Sequence, residues 1–158
     1  MFNKKFLIWF FYLHFTYIKY IIITLFRIIQ NNKMGKYNPD IIIDFLKFKD
    51  ERGELAVADL EYDIPFDVKR SFWIYNVKQN QIRGKHAHRT CSEVLVALHG
   101  SFKVKVSYNG LDFTEYILDE PTKGLLIEPM VWCELYDFTN EAVCLCLASE
   151  KYDSSKYV

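Results

Sequence analysis

Six consecutive residues, Arg83-Gly84-Lys85-His86-Ala87-His88, concentrate the chemistry of this 158-residue chain. His86 and His88 sit two apart, just before a stretch (Cys91 to Leu98) that reads as a β-strand. Side chains alternate faces along a strand, so the spacing predicts both imidazoles on one face. The apolar alternation that follows predicts that this face looks into a sheet-lined cavity. An imidazole, with a reference pKa of about 6.5, moves protons readily near neutral pH, and in its neutral form it also ligates metal ions. The spacing alone leaves both uses open.

The elements that must position this pair read as a small all-β protein. Ile41 to Phe48 is a first strand, Asp50-Glu51-Arg52-Gly53 a turn, and Glu54 to Leu60 a second strand broken at Ile64-Pro65-Phe66. Val68 to Val77 alternates, with Val68, Arg70, Phe72 and Ile74 on one side and Lys69, Ser71, Trp73 and Tyr75 on the other. A polar loop over 78–82 leads into the histidines. His99-Gly100-Ser101 is a turn, after which Phe102, Val104 and Val106 alternate with Lys103, Lys105 and Ser107. Asn109-Gly110 is a two-residue hairpin signal. Strands at 113–118, 125–127 and 131–136 follow, and Glu141 to Ser149 is apolar enough to be buried on both faces. Short strands at this spacing predict a sandwich or barrel. The tail from Glu150 to Val158 reads as ending without a closing element.

Bulk properties narrow the function. A chain that is 51% hydrophobic and 17% aromatic is neither disordered nor collagen-like. Its zero formal charge conceals an asymmetry. Residues 1–33 carry five bases and no acid, whereas the remaining 125 residues carry 15 bases and 20 acids. A mildly acidic domain offers no footprint for nucleic acid. Cys91, Cys133, Cys144 and Cys146 lack the spacing of a disulfide framework, which points to a reducing, cytoplasmic setting.

Residues 6–29 are apolar and aromatic, interrupted by Lys19. A membrane span needs about 20 apolar residues, and charge is costly at its centre. Residues 1–33 therefore read as a helical leader: an anchor on the inner face of the cytoplasmic membrane, an interfacial helix, or sequence upstream of a natural start at Met34. The domain itself is expected to run from 34 to 158, with membrane contact only if the leader is real.

The order His86-x-His88, then Glu93, then Gly100 resembles the first motif of the cupin superfamily, a jelly-roll barrel. Many metal-binding cupins use two such histidines, the glutamate and a histidine from a second motif. Cys133 stands at that last position here. A thiolate would serve zinc well and iron or manganese poorly. A closer resemblance covers residues 40–158. Lys69-Arg70, Phe72-Trp73, Arg83-Gly84-x-His86-Ala87-His88, Glu93-Val94-Leu95-Val96, Gly100-Ser101, Pro129-x-Val131-Trp132, Leu147-Ala148-Ser149 and Tyr152-Asp153 are similar to the sugar 3,4-ketoisomerase (WxcM-like) cupins.

That resemblance implies a jelly roll, a homodimer formed by exchange of edge strands, and action on dTDP-4-keto-6-deoxyglucose ahead of a transaminase in surface-polysaccharide synthesis. Moving a carbonyl from C4 to C3 takes a proton from C3 and returns one to C4 through an enediol, which requires no cofactor and no metal. By the same resemblance His86 and His88 are the acid/base pair, and Arg83 stabilises the enediolate or binds diphosphate. Arg70 and Arg52 are candidate diphosphate contacts, because a guanidinium pairs bidentately with phosphate oxygens. Trp73 and Tyr75 are candidate platforms for the base or sugar. Glu93 is expected to orient His88. A 3,5-epimerase and a non-catalytic sugar-binding cupin are the alternatives.

Overall fold

The computed structural model describes residues 41–158; the leader reading over 1–33 and the boundary at 34 lie outside the described residues. No helix among the described residues is long and apolar enough to cross a membrane. In chain order the strands are β1 (Ile41–Asp44), β2 (Leu46–Asp50), β3 (Gly53–Val57), β4 (Arg70–Tyr75), β5 (Arg83–His86), β6 (Glu93–His99), β7 (Phe102–Ser107), β8 (Thr114–Leu118), β9 (Lys123–Ile127), β10 (Trp132–Tyr136) and β11 (Val143–Ala148). A 3₁₀ turn over Ser154–Lys156 follows.

All pairings within these sheets are antiparallel. β1-β9-β6-β11-β4 form one sheet and β5-β10-β7-β8 a second, while β2 and β3 stand apart as a two-stranded hairpin. The inner faces of the two sheets bury one cluster, with Leu95 and Ala97 of β6, Cys144 and Cys146 of β11, and Leu125 and Ile127 of β9 meeting Phe102, Val104 and Val106 of β7. This is the expected cupin jelly roll. A second cluster covers the outer face of the larger sheet: Val94, Val96, Leu126 and Leu147 pack under Phe45, Ile64 and Phe66. β6, β9 and β11 are therefore buried on both faces, as the unbroken apolar run at 141–149 predicts for the last of them. The break at Ile64-Pro65-Phe66 is part of that cover.

The first expected strand is in fact two. Phe45 is buried, donates its N–H to the Thr122 carbonyl at 2.8 Å, and hands the chain from the large sheet to the hairpin. Its ring lies on Gly124, where an added Cβ would come within 2.8 Å of it. The hairpin is amphipathic. Phe48 pairs with Leu55 and Leu46 with Val57, so these four side chains share a face. Lys47 and Lys49 lie on the other, each 2.7 Å from Glu54. Asn109-Gly110 does join β7 to β8, but in a longer loop than the expected two residues. Asn109 Oδ1 accepts from the backbone N–H groups of Leu111 and Asp112, holding an Asx turn.

Candidate active site

Local backbone chemistry aims the histidines. β5 pairs with β10 so that His86 faces Cys133 and Gly84 faces Glu134, with a shift in register between them. Lys85 is the extra residue of a β-bulge, and both Gly84 (φ 76) and Lys85 (φ 63) are left-handed. Gly84 has no substitute here: a Cβ would stand 2.6 Å from the Cys133 carbonyl oxygen. The pair is thus not carried by one regular strand, as the sequence suggests. β5 ends at His86, and His88 is held by an isolated bridge to Tyr157. The Met130 N–H also donates to the His88 carbonyl at 2.7 Å.

The two imidazoles nevertheless meet. Their centroids are 4.9 Å apart with planes nearly perpendicular, at 89°. Both line a cavity of about 420 Å³ between the sheets, whose walls include Leu95, Ile127, Cys133 and Leu135, with Arg83 also lining it. Burial pushes the His86 pKa below its ordinary 6.5, helped by neighbouring His88 and opposed by the Gly84 carbonyl and Glu93. The ring is therefore a free base at neutral pH. His88 is only 7% exposed, and its Nε2 lies 3.3 Å from Glu93 Oε1 without an aligned hydrogen bond. The same carboxylate oxygen is 3.4 Å from Arg70 Nη2, so Glu93 is shared between an imidazole and a guanidinium.

The other expected residues divide. Arg83 lines both the cavity and a neighbouring outer groove. Trp73 and Tyr75 alternate away from Phe72 and Ile74, are more than half exposed, and line an outer groove of about 330 Å³. That groove shares Trp73, Ile74, Ile82 and Arg83 with the cavity. Arg70 is not presented as a free phosphate contact. It lies on the inner side of β4, paired with Glu93 and stacked on Phe72 at 4.8 Å. Arg52 is not in the cavity lining of this chain either; it sits at the hairpin turn, 85% exposed and held by Asp50 through short-range hydrogen bonds.

One residue the sequence reading missed is Tyr157. It stacks on His86 (4.3 Å, 14°) and meets His88 edge-on (4.8 Å, 81°). The tail does have a closing element: Ala87 and Val158 exchange backbone hydrogen bonds at 3.0 and 2.8 Å, and Arg89 donates to Lys156 at 2.9 Å. Nothing in the local sequence announces this, since the contact spans about 70 residues.

The donors do not assemble into the four-ligand arrangement of metal cupins. Among the described residues the close group is His88, Cys91 and Glu93, within 4.8 Å of one another, and His86 and Cys133 stand outside it. Burial pushes the Cys133 thiol far above its ordinary range.

Known proteins resemble the chain in sequence and in fold. Residues 38–158 match the family described as FdtA: WxcM-like, C-terminal. A TDP-4-oxo-6-deoxy-alpha-D-glucose-3,4-oxoisomerase from Aneurinibacillus thermoaerophilus is 39% identical over 117 residues, 74% of this chain and 84% of that protein. The structure of QdtA, a sugar 3,4-ketoisomerase from Thermoanaerobacterium thermosaccharolyticum in complex with TDP, superposes with a TM-score of 0.74 at 36% identity, covering 78% of this chain and 89% of that one. The WlaRB TDP-quinovose 3,4-ketoisomerase from Campylobacter jejuni gives a TM-score of 0.72 at 30% identity, covering 77% and 92%.

Proposed function

Since the chain belongs to the FdtA family (WxcM-like, C-terminal), we propose that it is a TDP-sugar 3,4-ketoisomerase that moves the carbonyl of dTDP-4-keto-6-deoxyglucose from C4 to C3, with His86 and His88 as its acid/base pair. The observation that carries this reading is the pair of imidazoles 4.9 Å apart in the wall of one cavity. The C4 ketone acidifies the C3–H bond. Neutral His86 accepts that proton, and the electron pair moves onto the C4 oxygen as an enediolate. Protonation of that oxygen, loss of the proton on the C3 oxygen and delivery of a proton to C4 by His88 give the 3-keto isomer. Atoms and electrons balance without an oxidant. Each positioned group contributes about 10²–10⁴-fold. Arg83, at the junction of cavity and groove, offers charge to the enediolate or the diphosphate. Trp73 and Tyr75 offer the outer groove as a platform for the base.

Incubating the full chain with dTDP-4-keto-6-deoxyglucose and a 3-aminotransferase tests the reading: a 3-amino sugar is expected, and its absence counts against it. Deuterium uptake at C5 as well as C3 would point instead to a 3,5-epimerase. The pH profile follows from the site. Protonated His86 cannot accept the C3 proton, and its pKa lies below 6.5, so the neutral form persists into mild acid. The acid limb of kcat/KM is therefore expected to have its midpoint below pH 6.5; a midpoint above that value would contradict His86 as the base.

A second copy of the chain is the proposed partner of the β2–β3 hairpin. Leu46, Phe48 and Leu55 are each more than half exposed on one face, and a lone two-stranded hairpin is at best marginally stable in water. Covering it in a homodimer accounts for both facts. The double substitution Phe48→Asp with Leu55→Asp is expected to convert a dimer to a monomer in analytical ultracentrifugation. An unchanged mass would remove the hairpin from the interface.

A further inference from the structure

We propose that Tyr157 is a positioning residue for the isomerisation, its ring fixing the plane of the His86 imidazole from within the wall of the cavity that the two residues share. This rests on the ketoisomerase reading and adds a residue to its machinery. His86 ends its strand just after two left-handed residues, so the backbone aims the ring without setting its rotation. The stack with Tyr157, at 4.3 Å and 14°, does set it, because a turned imidazole would lose that face. The edge contact of Tyr157 with His88 extends the restraint to the second ring.

The tyrosine is itself held firmly. The antiparallel exchange between Ala87 and Val158 fixes its backbone on the histidine segment. Asp153 caps the 3₁₀ turn by accepting from the Ser155 N–H at 3.0 Å, and Lys156 Nζ pairs with Glu150 at 2.8 Å. Three points along nine residues thus seat the ring. Burial raises the phenol pKa, which keeps Tyr157 neutral and suits a stacking wall rather than a base.

A stacking role predicts that the aromatic ring matters and the hydroxyl does not. Tyr157→Leu is expected to lower kcat about tenfold or more while KM and TDP affinity stay within about twofold, since small misplacements of a catalytic group are costly. Tyr157→Phe is expected to restore kcat to within about twofold of the parent. The His86 ring protons should resonate upfield in the parent and the Phe variant, and shift back downfield in the Leu variant. A Leu variant with the parent's kcat would overturn the proposal. So would a Phe variant as slow as Leu, which would make the hydroxyl an acid, or loss of TDP binding in the Leu variant, which would make the ring a structural prop. A parent chain that fails to turn over the ketosugar while retaining the ring-current shift would instead overturn the isomerase reading alone.

Discussion

His86→Asn is expected to lower kcat by about 10²–10⁴-fold while TDP still binds within a few-fold of the parent affinity. Asparagine is close in size to imidazole and keeps a polar tip, so the cavity between the sheets retains its shape. It cannot accept a proton near neutral pH. The loss should therefore fall on the chemical step and leave nucleotide recognition, for which the outer groove of Trp73 and Tyr75 is the proposed platform, nearly intact. His88→Asn should be damaging as well, though its effect will be mixed. His88 is buried beside Glu93, and the asparagine must replace its backbone-anchored packing against Tyr157 as well as its proton. Steady-state kinetics with calorimetric titration of TDP measures both variants. A His86→Asn enzyme as fast as the parent would remove the pair from the mechanism.

Gly84→Ala is expected to damage both stability and turnover. At φ 76 a side chain is strained whatever the space, and here the space is missing too, with the Cys133 carbonyl oxygen 2.6 Å from the added Cβ. That oxygen belongs to the backbone of β10, which is paired on its other side with β7 and cannot swing away. The left-handed conformation costs about 1–3 kcal/mol for a non-glycine residue, and overpacking a further 1–3 kcal/mol, so a loss of roughly 2–6 kcal/mol is expected in urea unfolding. If β5 instead lifts from β10 to relieve the contact, His86 moves with it and kcat falls in the protein that remains folded. An Ala variant with the parent's stability and kcat would show that the bulge does not aim the ring.

Much of this architecture was legible because the determining interactions are local. The alternation of Phe72 and Ile74 against Trp73 and Tyr75 needs only the two-residue period of a strand, and it appears intact in β4. The apolar run ending at Ala148 states its own double burial. Where the outcome depended on distant partners, the pattern misled. Nothing between Ile41 and Phe48 reveals that Phe45 will turn inward over Gly124 and divide the strand between two sheets. Arg70 reads as a candidate diphosphate contact, and its pairing with Glu93, 23 residues away, is made only when β4 and β6 come together in the fold. The histidine spacing pointed correctly to rings that meet, though for an incomplete reason: a bulge at Gly84-Lys85 and a bridge to Tyr157, rather than strand alternation, bring them together. Tyr157 itself lay beyond any motif argument because its contacts are made across the whole domain.

The most direct measurement is a crystal structure of the His86→Asn variant soaked with dTDP-4-keto-6-deoxyglucose. The sugar is expected in the cavity between the sheets, with C3 and C4 facing residues 86 and 88 at distances that a restored imidazole would bridge, about 2.6–3.2 Å directly or through one water. The nucleotide should run outward past Arg83. A sugar ring found outside the cavity, or seated with C3 and C4 turned away from both positions, would contradict the account.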